Sequence, residues 1–176
     1  MKRRDVLNHL LMGAMGGALL RSAPAFAYEV THTDAEWKKL LSPAAYQVLR
    51  HEDTEPPFTS PLNNEHRKGI FACAGCDLPL FSSDTKFESG TGWPSFTRPF
   101  ADGHLEYISD TSYGMVRTEI VCARCGSHQG HVFDDGRPPT GQRYCINSVS
   151  LDFTPSGEKL PDKLGRGAPE GELWRG

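Results

Sequence analysis

Two Cys-x-x-Cys knuckles, Cys73-Ala74-Gly75-Cys76 and Cys122-Ala123-Arg124-Cys125, restrict the folds open to this chain more than any other feature. Two tight turns can present four thiolates tetrahedrally to one zinc ion, and such a chain must bring both turns to one place. Glycine stands inside the first knuckle (Gly75) and directly after the second (Gly126), where backbone amides have to turn toward sulfur. The gap between the knuckles is long for a zinc finger and suits two hairpin loops joined through a sheet. A lone Cys-x-x-Cys could be a redox dithiol, but no βαβ pattern surrounds either one. Two disulfides are the competing use of the four thiols in an exported protein.

The chain has five cysteines, so zinc ligation by Cys73, Cys76, Cys122 and Cys125 leaves Cys145 over. It lies in the strand-like run Gln142-Arg143-Tyr144-Cys145-Ile146-Asn147. Side chains two apart in a strand share a face, so Arg143, Cys145 and Asn147 are expected on one surface. A guanidinium beside sulfur favours the thiolate, the reactive form. The bland alternative is a structural cysteine in a core strand, and polar neighbours on its own face argue against that. Gly126-Ser127-His128-Gln129-Gly130-His131-Val132-Phe133 follows the second knuckle directly. Histidine titrates in the range a proton donor needs, although either His128 or His131 alone could be merely structural. Trp93 sits between Gly92 and Pro94 in a loop with little backbone freedom, and either presents its ring to a ligand or fills a core.

The amino terminus reads as an export signal. Lys2-Arg3-Arg4 precedes an apolar stretch from Val6 to Leu20 and a small-x-small site at Ala25-Phe26-Ala27. The apolar stretch is too short for a comfortable transmembrane span, so no stable membrane insertion is expected. Arg3-Arg4-Asp5-Val6-Leu7 is similar to a twin-arginine signal, with an ordinary secretory signal as the alternative. A protein that folds around zinc before crossing by the twin-arginine machinery keeps its thiols from pairing in an oxidising compartment. The expected destination is therefore the periplasm, after cleavage near Ala27. Removing residues 1–27 leaves 15 Lys+Arg against 21 Asp+Glu, an acidic balance that disfavours nucleic acid as a partner. The remainder is the size of one domain with one core.

Thr33 is placed to cap a short helix to about Leu41, with Asp34 and Glu36 in its first turn. Ser42-Pro43 starts a second helix through about His51. Strands are expected at Gly69–Ala72, Leu80–Phe81, Leu105–Ser109, Val116–Val121, His131–Phe133 and Tyr144–Phe153, with Gly, Pro, Asp and Ser between them. The result is a small, mainly antiparallel β fold with helices at one end. Residues 28–156 form the expected domain, and 157–176 a Gly-, Pro- and charge-rich tail expected to be mobile.

Taken together, these pieces resemble the B-type methionine sulfoxide reductases, which reduce the R epimer of methionine sulfoxide. The resemblance spans roughly Trp37 to Phe153. It includes Thr54-Glu55-Pro56-Pro57-Phe58, both knuckles, Ser89-Gly90-Thr91-Gly92-Trp93-Pro94-Ser95-Phe96, Gly130-His131-Val132-Phe133, Asp135-Gly136 and the run from Pro139 through Ser148. It implies a mainly β fold of two small antiparallel sheets, with short N-terminal helices and one structural zinc ion distant from the catalytic centre. Cys145 would then be the nucleophile, Trp93 and Phe133 would line the pocket for the substrate methyl group, His128, His131 and Asn147 would surround the sulfoxide oxygen, and Arg143 would assist the thiolate. The implied substrate is oxidised methionine in proteins or peptides. Many members of this family carry a resolving cysteine where Thr91 stands, so a small thiol or thioredoxin-like reductant is expected to regenerate Cys145 here. Two rivals come from other classes. A zinc-ribbon interaction module leaves Cys145 and the Trp93 loop without a purpose. A cysteine hydrolase built from Cys145, His131 and Asn147 lacks a recognisable oxyanion signature.

Overall fold

The computed structural model describes residues 28–162. The expected export signal at 1–27 lies outside these residues, as does most of the expected tail; residues 159–162 carry no regular structure. No described helix is long and apolar enough to cross a membrane.

Local chemistry starts both helices. For α1 (Asp34–Leu40), the Thr33 hydroxyl accepts the Glu36 amide, and the Glu36 carboxylate accepts the Thr33 N–H at 2.7 Å. This reciprocal pairing satisfies two amides that a helix start leaves without partners. For α2 (Pro43–His51), Ser42 accepts the Ala45 amide at 3.2 Å, and Pro43 occupies a first-turn position where no N–H is needed. Ala45, Tyr46, Val48 and Leu49 form its buried face.

The rest is two antiparallel sheets. In the smaller, β1 (Gly69–Cys73) lies between β2 (Pro79–Ser82) and β9 (Leu151–Pro155). The larger contains β3 (Lys86–Phe87), β4 (Ser95–Phe96), β5 (Leu105–Asp110), β6 (Arg117–Cys122), β7 (His128–Phe133) and β8 (Arg143–Ile146), in the order β3-β4-β8-β7-β6-β5. Aromatic rings join them. Phe96 of β4 stacks on Phe81 of β2 with centroids 4.3 Å apart, and meets Phe71 of β1 edge-on at 5.0 Å. All three rings are fully buried. Truncating such a side chain to alanine typically costs about 3–5 kcal/mol.

One expected element differs. The run Tyr144–Phe153 is not one strand, because a 3-10 turn at Ser148–Ser150 divides it into β8 and β9, which belong to different sheets. Both halves mix buried and half-buried residues in the same way, so the burial pattern does not mark the break. The Ser150 amide and hydroxyl both donate to the Asn147 carbonyl, which closes the turn. The short strands β3 and β4 fall in a stretch read as loop. Each is two residues long, below what alternation can reveal.

Candidate active site and metal centre

Strand register creates the first centre. In the larger sheet Cys145 pairs directly with His131, and Arg143 with Phe133. Residues directly opposed in an antiparallel pair share a face, so sulfur, imidazole, guanidinium and phenyl ring form a two-by-two block. The Arg143 guanidinium lies over the Phe133 ring, 4.5 Å from its centroid, and is gripped by Asp135 through two bonds of 2.8 and 2.9 Å. Close approach of β7 to β8 requires Gly130, since a Cβ there would sit 2.0 Å from the Cys145 carbonyl oxygen.

A cavity of about 140 Å³ opens over this block, lined among others by Cys145, His131, Phe133, Asn147 and Trp93. Asn147 lies one residue beyond the end of β8 and still faces the same space. The Trp93 indole N–H donates to the Glu55 carbonyl at 3.0 Å, and the Ile146 amide donates to Pro94, so the tryptophan loop is pinned to both sides. His128 is buried rather than lining the cavity, its ring centroid 5.5 Å from that of His131. Three residues apart in a strand, the two rings would ordinarily point to opposite faces. A bulge opposite Ile120 and Val121 leaves Gln129 without a ladder partner and rephases the strand.

Carboxylates orient both histidines. His131 Nε2 lies 2.8 Å from Asp110, and His128 Nδ1 lies 2.6 Å from Glu119. Hydrogen bonds from Ser112, then from His131 and Arg117, hold the Asp110 carboxyl well below the usual range. Burial pushes the His131 imidazolium toward the neutral form, with Asp110 partly opposing it. Burial also governs Cys145. It raises the thiol above its ordinary value, whereas Arg143 and a hydrogen bond with Thr91 pull it down without prevailing. The expected assistance from Arg143 is present in direction, but desolvation outweighs it, so the resting thiol is protonated near neutrality. The Thr91 hydroxyl continues through Ser89 at 2.8 Å to Ser95 at 2.7 Å, a chain of hydroxyls beneath the sulfur.

Asp110, Glu119, Glu55, Thr91 and Asp135 are site residues that sequence reasoning left without a role. Asp110 and Glu119 stand on β5 and β6 and meet their histidines only through the register, so no local pattern marks them. Glu55 lies in the stretch Thr54-Glu55-Pro56-Pro57-Phe58 that carries part of the resemblance, its one signal in the sequence.

The second centre joins the knuckles. Cys73 ends β1 and Cys122 ends β6, so the two turns bring the end of one sheet to the end of the other. The four sulfurs lie within 4.8 Å of one another, with Cys73–Cys125 at 3.7 Å and Cys76–Cys122 at 3.4 Å. All five cysteines are free, and these two contacts run between the knuckles. Tetrahedral thiolates about 2.3 Å from zinc would stand roughly 3.8 Å apart, so the donor set fits such an ion. Ser127 Oγ lies 3.2 Å from Cys125 Sγ, and Gln129 Nε2 reaches Cys73 Sγ at 3.5 Å. Without a cation, crowding by the other thiols drives Cys73 and Cys122 strongly upward. Four such sulfurs can ionise together only around a positive ion.

Residues 41–155 match the SelR domain. A protein named peptide methionine sulfoxide reductase MsrB from Pseudomonas putida (strain W619) is 56% identical over 127 residues, covering 72% of this chain and 96% of that protein. One of the same name from Leptospira interrogans serogroup Icterohaemorrhagiae serovar Lai is 56% identical over 126 residues, with 72% and 96% covered. Another from Caulobacter vibrioides (strain NA1000 / CB15N) is 56% identical over 138 residues, with 77% and 87% covered.

Proposed function

We infer the course of catalysis from one premise: the chain belongs to the SelR-domain family, whose relatives here are named peptide methionine sulfoxide reductases. The protein is an oxidoreductase that reduces the R epimer of methionine sulfoxide to methionine. Cys145 is the nucleophile. Its sulfur bonds to the sulfoxide sulfur; the protonated oxygen then passes from the substrate sulfur to the Cys145 sulfur as the S–S bond breaks, so methionine departs reduced and Cys145 is left as a sulfenic acid. The proton lost by the thiol is balanced by the one the oxygen gains, so no net proton is required. His131 carries that proton. Its Nε2 is engaged by Asp110, so Nδ1 is the atom able to hand it over. His128 backs His131, Asn147 donates to the sulfoxide oxygen, and Arg143 favours the ionised sulfur. Trp93 and Phe133 enclose the methyl group, which leaves one epimer with its oxygen toward the donors. The observation that supports this reading most is the direct pairing of Cys145 with His131 beneath a cavity that also takes in Trp93 and Asn147.

Regeneration takes two equivalents of thiol. The first condenses with the sulfenic acid, releasing water and forming a mixed disulfide; the second releases the Cys145 thiol and leaves the reductant oxidised. Every cysteine other than Cys145 belongs to the cluster, so the partner thiol is external, either small or thioredoxin-like. The ion held by Cys73, Cys76, Cys122 and Cys125 is zinc, a structural site that supplies folding free energy. Export by the twin-arginine route to the periplasm is supported by Arg3-Arg4 and the apolar run behind them.

Turnover of a peptide carrying a defined R-sulfoxide with dithiothreitol, run against the S epimer, tests the assignment. The R epimer should be consumed and the S epimer left, and Cys145→Ser should abolish turnover. Equal consumption of both epimers would refute the pocket assignment. Activity surviving in Cys145→Ser would refute the nucleophile, and no turnover of either epimer by the wild type would favour a noncatalytic zinc-ribbon module.

A further inference from the structure

Glu55 is buried, 8% exposed, and its carboxylate meets a hydroxyl and two amides. One oxygen accepts the Ser148 amide at 2.7 Å together with the Ser148 hydroxyl, and the other accepts the Val149 amide at 3.2 Å. The side chain thus clamps the segment around Glu55 to the turn that follows β8. The backbone of the same residue performs a different task. Its N–H donates to Asn147 Oδ1 at 3.1 Å, and its carbonyl accepts the Trp93 indole N–H at 3.0 Å.

These contacts leave the Asn147 amide with one unshared N–H, in a residue that lines the cavity. Oδ1 is taken by Glu55, and Nδ2 gives one hydrogen to the Gln129 carbonyl at 3.3 Å. One N–H remains on Nδ2. Asn147 therefore offers a donor to the cavity, as a sulfoxide oxygen requires, while Trp93 is held by the other face of the same residue. Donor and aromatic wall are referenced to the backbone of one residue, through its N–H on one side and its carbonyl on the other.

We propose that Glu55 is a positioning residue for epimer selection: its carboxylate fixes its own backbone, whose N–H holds Asn147 and whose carbonyl holds the Trp93 ring on the two sides of the cavity. This rests on the assignment of the cavity to methionine sulfoxide made above. Releasing the clamp lets the oxygen-binding amide and the methyl-binding ring shift relative to one another, and the distinction between epimers blurs.

The test compares kcat/KM for R- and S-sulfoxide peptides in the metal-loaded wild type, Glu55→Ala, Glu55→Gln and Ser148→Ala. A merely structural role lowers the active fraction and scales both epimers alike, so their ratio does not move. Positioning predicts that the R-to-S ratio falls by about tenfold or more in Glu55→Ala, the worth of one well-made hydrogen bond. Ser148→Ala, which removes only the hydroxyl donor, should shift the ratio less. Should Glu55→Ala fail to fold, Glu55→Gln carries the test, since its amide can serve Ser148 but sets N–H against N–H at Val149. An unchanged ratio in every folded variant overturns the proposal. A wild type without R selectivity would instead overturn the assignment of the cavity, and the two failures are told apart by that control.

Discussion

Arg143 and Asp135 act on Cys145 with opposite signs, which makes the residue scale directly testable. Arg143 lowers the thiol, so Arg143→Ala should move its titration further upward, slow iodoacetamide modification near neutrality, and leave a rate still rising with pH where the wild type has levelled off. Asp135 raises the thiol through its charge, so Asp135→Asn should move the same limb in the acid direction. A pH profile of alkylation checks both, and shifts in a common direction would contradict the electrostatic account. Asp110 supports the protonated form of His131, so Asp110→Asn should displace the acidic limb of kcat/KM to lower pH. The lone sulfur was legible in the sequence because cysteine is rare and its arithmetic simple. The two carboxylates behind the histidines were not, because nothing about an acidic residue in a strand of an acidic chain reveals which distant ring it will meet.

Elements were legible where chemistry is local. The Thr33 capping box and the Ser42-Pro43 start are written within a few neighbouring residues, and both helices begin where those signals put them. The β8–β9 break and the β7 bulge depend on which strand lies alongside, information that a single stretch of chain does not carry. Gly130 is the exception that a sequence displays without explaining. Gly130→Ala would force β7 away from β8 at the point where the Cys145 carbonyl lies closest. Overpacking of this kind costs about 1–3 kcal/mol. A lower Tm together with loss of sulfoxide turnover is the expected outcome. Full activity in this variant would show that the sheet can widen there without disturbing the sulfur.

Across the whole molecule, the four-cysteine cluster clips the end of the small sheet to the end of the large one. In the metal-loaded protein one thiol, Cys145, should react with a thiol reagent under native conditions, and all five after the ion is withdrawn by a strong chelator. Structural zinc binding is worth on the order of 10 kcal/mol in small domains, so removal should lower Tm sharply. Unchanged stability after removal would deny the cluster its fastening role. The knuckles were the most legible part of the chain, yet their separation in sequence said nothing of the path between them. Gln129 belongs to both centres, its side chain reaching Cys73 Sγ while its carbonyl holds the Asn147 amide. Corrosion of the buckle should therefore be felt at the blade: an oxidant that spoils the cluster sulfurs should also loosen Gln129, and with it the hold on the Asn147 amide beside Cys145.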